Sequence, residues 1–208
     1  MSLILGIFAL LMSVTIHEFC HAVTAVFLGD PTPRIHGRVS LNPMRHIDPL
    51  GTLALIFFKF GWGKPVVFNP NNLKKPTRDS ALIGLAGPAS NLLMAIVAAI
   101  PLKYLATTAF SQTIFFEFIG VFFVVNILLF SLNILPFPPF DGSKIIGVFV
   151  PFRFRRAYDA YLESGVVWVL IFIAFDQMIL RWITGFSVLN YLIGTISTLV
   201  LSLVGLGS

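Results

Sequence analysis

Five long apolar stretches, at roughly residues 4–28, 80–104, 113–135, 157–176 and 184–206, take up most of this 208-residue chain. Each approaches or exceeds the about 20 residues that a helix needs to cross a hydrocarbon core. The first ends at Gly29-Asp30, where glycine suits a left-handed helix cap. Between the first two stretches lies a long connection rich in Pro, Gly and Asn. Within it, Arg34–Leu41 and Lys64–Phe68 read as short strands, and Asn42-Pro43 and Asn69-Pro70-Asn71 as turns. Residues 50–58 (LGTLALIFF) are too short to span and follow Asp48-Pro49, a helix start, so they predict a half-inserted or re-entrant helix. A second short apolar piece, Ile145–Phe152, follows Asp141-Gly142. The expected fold class is an all-α polytopic membrane protein. It has about five transmembrane helices, short re-entrant segments, and a small β-hairpin or sheet element between the first two spans.

Composition agrees with that pattern. Hydrophobic residues make up 57% of the chain and charged residues 11%, where a soluble domain carries about a quarter charged. Mean hydropathy is +0.91. A single soluble core is excluded, and the bilayer is the expected surrounding. The net charge of +5 does not point to nucleic acid, because the cations fall between the spans. The single cysteine, Cys20, excludes an internal disulfide. Met1–Val14 is apolar but lacks a basic leader region and a small-residue cleavage site, so it is expected to remain as part of the first span. No repeat or low-complexity tract interrupts the chain, and residues 1–208 are expected to form one domain.

The distribution of the 14 Lys and Arg residues predicts orientation. Arg34, Arg38, Arg45, Lys59, Lys64, Lys74, Lys75 and Arg78 lie between the first and second spans. Lys144, Arg153, Arg155 and Arg156 lie between the third and fourth, leaving only Lys103 and Arg181 opposite. The positive-inside rule puts the rich side in the cytoplasm, with the N-terminus outside and the C-terminus inside.

Chemistry concentrates at His17-Glu18-Phe19-Cys20-His21. Histidines at i and i+4 lie about 40° apart around a helix, so both imidazoles can face one ion. Glu18 lies about 100° round from His17, beside such an ion, where a general base for its water belongs. With four histidines in the chain, chance would give this pattern roughly once in a thousand such sequences. An ionisable group at membrane depth is also costly and marks function by default. Cys20 projects away from His21 and reads as a small buried residue.

Two histidines leave a catalytic zinc one protein ligand short. His36 and His46 sit among loop residues and read as exposed or structural. Glu117, Asp159, Glu163 and Asp176 lie near the ends of spans. Asp141 differs, because it follows an apolar helix broken by Pro136, Pro138 and Pro139 and precedes Gly142. Broken backbone at membrane depth is tolerated where it is buried in protein or lines a wet cavity. Asp141 is therefore the expected third ligand, the plainer alternative being an ordinary proline-rich connection. Zinc at +2 with Asp141 and Glu18 at −1 each also sums to neutrality, the cheapest state in a low dielectric.

With these motifs in hand, the chain resembles the site-2 protease family, intramembrane zinc metalloproteases of peptidase family M50. The resemblance rests on HEFCH in the first span, the Asn133–Gly142 pattern NxxPxPxxDG, and Gly87-Pro88-Ala89-Ser90-Asn91 in the second span. The segments GDPTP and GRVSLNPMRHIDPLGT are similar to those of compact bacterial members. The likeness runs from about residue 15 to 150 and implies a catalytic core at about 1–150. It implies one zinc per chain on His17, His21 and Asp141, with Glu18 as catalytic acid/base. Asn133, and more weakly Asn91, are implied to hold substrate or the oxyanion, whereas Asn126 reads as an interhelical hydrogen bonder. It further implies a prokaryotic cell membrane and a transmembrane protein or peptide as substrate. His17 and His21 lie 11 and 7 residues before Leu28, at the cytoplasmic end of the first span, so by helix rise and the cation distribution the active site is expected in the cytoplasmic half of the bilayer. The PDZ or CBS domains of larger relatives, and the helix that precedes the HExxH helix in some of them, are not expected.

A substrate helix would have to unwind before cleavage, and Lys64–Phe68 could pair with the freed strand by β-augmentation. The competing readings are a non-proteolytic metal-binding membrane protein and a metal transporter. Glu18 disfavours the first, since a purely structural site has no use for a base. A transporter would show a ladder of polar residues through successive spans.

Overall fold

A computed structural model describes residues 2–48 and 63–204. Five main helices carry the architecture: α1 (Ser2–Phe27), α2 (Pro76–Tyr104), α3 (Ile114–Asn133), α4 (Arg155–Phe175) and α5 (Val188–Val204). Among the described residues, four stretches are long and apolar enough to cross a membrane: Leu3–Phe27, Pro76–Tyr104, Ile114–Asn133 and Val167–Thr184. The chain is a membrane protein. Its large apolar side chains face outward, with Trp168 70% and Trp182 85% exposed, as a lipid-facing surface requires.

Against the about five spans expected, these four stand among the described residues, with a fifth helix, α5, described as far as Val204. α5 has 17 residues, at the short end of what crosses the roughly 30 Å hydrocarbon core. The fourth span also begins later than the expected 157, at Val167, because Arg155, Arg156, Asp159 and Glu163 occupy the first turns of α4. It does not stop at Asp176. The backbone runs on through a π-helical segment, Asp176–Leu180, and a last turn, Arg181–Thr184, to break at Gly185, whose φ is 72°. The buried Asp176 carboxylate caps the next helix instead, accepting from Ser187 Oγ at 2.6 Å and from the Val188 N–H at 2.8 Å.

The expected β-hairpin is not present among the described residues, which contain a single antiparallel bridge, Ile47 to Gly63. Arg34 and Ile35 belong to a helical turn, Thr32–Ile35, started by Pro31 and Pro33 and by Asp30, which accepts the Thr32 N–H. Beyond the bridge, the Lys64 N–H reaches His46 O at 2.7 Å, but Pro65 has no donor and Val66 gives its N–H to Glu18. No ladder can continue from those donors. The half-inserted helix expected at 50–58 lies outside the described residues. Gly29 does end α1 with a φ of 110°.

α1, α2 and α3 pack together, and small residues let them approach. Ala95, Ala98 and Ala99 of α2 meet Phe123 and Ile127 of α3 and Val200 of α5. Ala25 of α1 meets Ile83 of α2 and Leu73 of the preceding loop. In lipid, where hydrophobic burial gives helices no reason to associate, this close packing and interhelical hydrogen bonds hold the bundle.

Candidate metal centre

α1 places His17 and His21 one turn apart on its inward face, 6% and 5% exposed. The third partner comes from beyond α3. Pro136, Pro138 and Pro139 end regular structure, and the chain doubles back over the end of α3. Gly142 makes that possible, since a Cβ there would lie 2.3 Å from the carbonyl oxygens of both Ile134 and Leu135. The turn is anchored from α4, where Tyr158 Oη donates to Ser143 O and Arg155 donates to Gly147 O at 2.9 Å. Asp141, 6% exposed, is thereby delivered to the histidines.

The three ligand atoms form a nearly equilateral triangle. Asp141 Oδ2 lies 3.1 Å from each Nε2, and the two Nε2 atoms are 3.0 Å apart. Their far sides fix how the rings are protonated. His21 Nδ1 lies 2.6 Å from the Ile83 carbonyl, which can only accept, so Nδ1 carries the proton. His17 Nδ1 lies 2.5 Å from Asn91 Oδ1. That amide's orientation is set by a chain of partners. Asn126 Nδ2 donates to Phe122 O at 2.8 Å and to Ser13 Oγ at 2.9 Å, so Asn126 Oδ1 turns to accept from Asn91 Nδ2 at 2.9 Å. Asn91 therefore presents its oxygen to His17, and Nδ1 again carries the proton.

In the neutral rings, two imidazole lone pairs and a carboxylate oxygen then converge on one point in a buried pocket. Three acceptors so close repel unless a cation lies among them. Two imidazoles and one carboxylate are a donor set that suits zinc and leave a coordination position open. Ligands of a tetrahedral zinc with bonds of 2.0–2.1 Å stand about 3.3 to 3.4 Å apart, a few tenths wider than this triangle. The residues fit the ion. Among the described residues these are the His, Cys, Asp or Glu side chains that converge in this way.

α2 closes the remaining side with a residue that has no side chain. A Cβ on Gly87 would lie 2.3 Å from His21 Nε2 and 2.6 Å from His17 Nε2. Pro88 and Asn91 follow on the same buried face.

Glu18 is half-buried beside the triangle, and one of its oxygens accepts the Val66 N–H at 3.0 Å. Asn91 is wholly buried against His17, whereas Asn133 donates to Leu129 O at 3.0 Å within its own helix. Asn126 links three helices. His36 is exposed, and His46 is buried with Nε2 bonded to Ser40 O. Sequence reasoning passed over Lys144, whose ammonium lies 2.9 Å from Asp141 Oδ1, and the backbone partners Ile83 O and Val66 N–H. A lysine three residues after the ligand was the available signal for the first.

Comparison with known proteins comes to the same place. The chain is 34% identical over 173 residues to "Putative zinc metalloprotease YwhC" of Bacillus subtilis, covering 80% of this chain and 79% of that protein. It is 29% identical over 187 residues to "Putative zinc metalloprotease Rip2" of Mycolicibacterium smegmatis, covering 86% and 70%. It is 35% identical over 69 residues to "Putative zinc metalloprotease MJ0611" of Methanocaldococcus jannaschii, covering 33% and 34%. No family model matches the chain, and no solved structure matches it significantly.

Proposed function

Because this chain belongs to the zinc metalloprotease family of those relatives, we propose that it is an intramembrane protease of the site-2 type. It hydrolyses peptide bonds in or near the spanning segments of other membrane proteins. The observation that carries this reading is the convergence of His17, His21 and Asp141 among helices that are long and apolar enough to span a bilayer.

Each residue then has a task. His17, His21 and Asp141 would hold one zinc ion, which when bound would supply a Lewis acid for the scissile carbonyl and lower the pKa of its water. Glu18 takes the proton from the attacking water and passes it to the leaving amine. The Val66 N–H holds one Glu18 oxygen and so orients the carboxylate. Asn91 and Ile83 O keep the protons of both rings on Nδ1, leaving each Nε2 free to bind. Asn133, at the end of α3, is a candidate for holding the unwound substrate or the oxyanion. At residues 64–68 the N–H groups of Lys64 and Val66 are taken and Pro65 has none, so this segment would meet an unwound substrate chiefly through its carbonyls.

Orientation belongs to the same proposal. By the positive-inside rule, twelve of the 14 cations favour cytoplasmic loops before α2 and after α3, and with them a metal in the cytoplasmic half of a prokaryotic cell membrane.

Two substitutions in purified protein test the reading. The wild type is expected to hold about one zinc per chain, and Asp141→Ala to lose most of it. Glu18→Gln should keep its zinc and lose at least about 10²- to 10⁴-fold in cleavage of a transmembrane peptide. Unchanged zinc in the first variant, or near-normal cleavage by the second, would sink the assignment.

A further inference from the structure

We propose that Lys144 is a positioning residue that keeps Asp141 a one-oxygen ligand and so holds a coordination position open. The inference rests on the metal centre proposed above. The two oxygens of Asp141 have separate partners. Oδ2 faces both imidazoles at 3.1 Å, while Oδ1 takes the Lys144 ammonium at 2.9 Å. The bond is built in by the fold. Lys144 lies on the short helix Gly142–Ile146 that Asp141 precedes, and its backbone N–H returns to Asp141 O at 2.9 Å. Its aliphatic stem lies against α2 at Gly84, where an added Cβ would stand 3.0 Å from Lys144 Cβ and 3.4 Å from Cδ. A larger residue there would push the ammonium away from Oδ1.

The consequence is one of coordination number. A carboxylate can bind a metal through one oxygen or both. With two imidazoles and one oxygen, zinc has three protein ligands and a fourth position for water or a carbonyl, as catalysis requires. A second carboxylate oxygen would take that position. The charge-assisted hydrogen bond from Lys144 occupies Oδ1 and withholds it. For affinity alone this is a poor arrangement, since an ammonium repels a nearby dication. It makes sense where an open position matters more than tight binding.

Cobalt(II) is a suitable probe, because its visible absorption is intense in four-coordinate sites and weak at higher coordination numbers. The full chain in detergent, stripped and reloaded with Co²⁺, should show the intense four-coordinate band. Lys144→Met should lose most of that intensity as Asp141 closes on both oxygens, and Lys144→Arg, which keeps the charged donor, should retain it. If Lys144→Met does not accumulate as a helical, monodisperse protein, Lys144→Leu, which likewise removes the donor, is read in the same way. A wild-type spectrum in the Met or Leu variant, or loss of the band in the Arg variant, overturns the role of Lys144. A wild-type chain that takes up no Co²⁺ overturns the metal centre itself, so the two failures are distinguishable.

Discussion

At Gly87 the chain has room for a hydrogen and nothing larger, because His21 Nε2 and His17 Nε2 stand where a Cβ would be. In helix propensity alone, alanine would be better there by about 1 kcal/mol, so glycine is kept for the space. Gly87→Ala should therefore lose most of its zinc while its helical content is unchanged. Leu85→Ala on the exposed face of the same helix should bind as the wild type does. Full zinc occupancy in Gly87→Ala would show that the histidines can move aside, and that their placement is looser than the triangle implies. Residue by residue, the legible part of the centre was whatever local spacing carries. His17 and His21 are four apart on one helix, and Asp141 follows three prolines, so both signals are visible in a dozen letters. The partners that aim these ligands were not visible. Ile83 O and the Val66 N–H are backbone groups, which have no sequence signature, and Lys144 takes its direction from packing on α2.

Elements are joined here by buried carboxylates as much as by apolar contact. Asp30, just past the end of α1, is fully buried. It accepts from Thr32 Oγ1 at 2.6 Å, from Asn72 Nδ2 at 2.7 Å and from the Asn69 N–H at 2.7 Å, tying the end of α1 to the approach to α2. Burial pushes its carboxyl up, but the bonds from Asn72, Thr32 and Asn69 outweigh burial and hold it below the ordinary aspartate value. A carboxyl whose pKa is lowered by folding stabilises the fold above its unfolded pKa, near 3.8, and loses that contribution as pH falls through the lower folded value. The melting temperature in detergent, followed from about pH 6 down to about pH 3, should drop more steeply for the wild type than for Asp30→Asn. Parallel curves would mean that the Asp30 charge contributes nothing. The strands expected in this connection failed for a local reason. The β-branched and aromatic run Val66-Val67-Phe68 suits a strand, but pairing needs donors, and Pro65 and Val66 have none to spare. Asp176 likewise reads as the end of a span by its charge alone, and only the fold shows it capping the following helix.

For the whole molecule, hydropathy fixed the solvent and most of the helices, but not where each begins relative to the bilayer. The charged first turns of α4 moved the fourth span toward the C-terminus, and α5 begins at Val188 rather than 184, after the Gly185 break. Orientation rests on twelve cations against two, and it can be tested directly. In a Cys20→Ala background, an impermeant thiol reagent on intact cells should label Lys103→Cys and leave Lys74→Cys and Arg155→Cys unlabelled. The reverse pattern would place the metal in the outer leaflet and release products outside.

The hydrogen-bond chain from Ser13 through Asn126 and Asn91 to His17 begins and ends on α1 and passes through α3 and α2. Ring orientation at the proposed metal centre and the registry of three helices are therefore one equilibrium viewed from two ends. Whatever the ion gains by finding His17 already turned, it must return as resistance to the helices sliding apart, since such coupling is reciprocal. Metal loading should act on this bundle as a ligand that binds only the assembled form. Conversely, a bilayer whose thickness forces the three helices to tilt against one another is, through Asn126, a competitor for the metal.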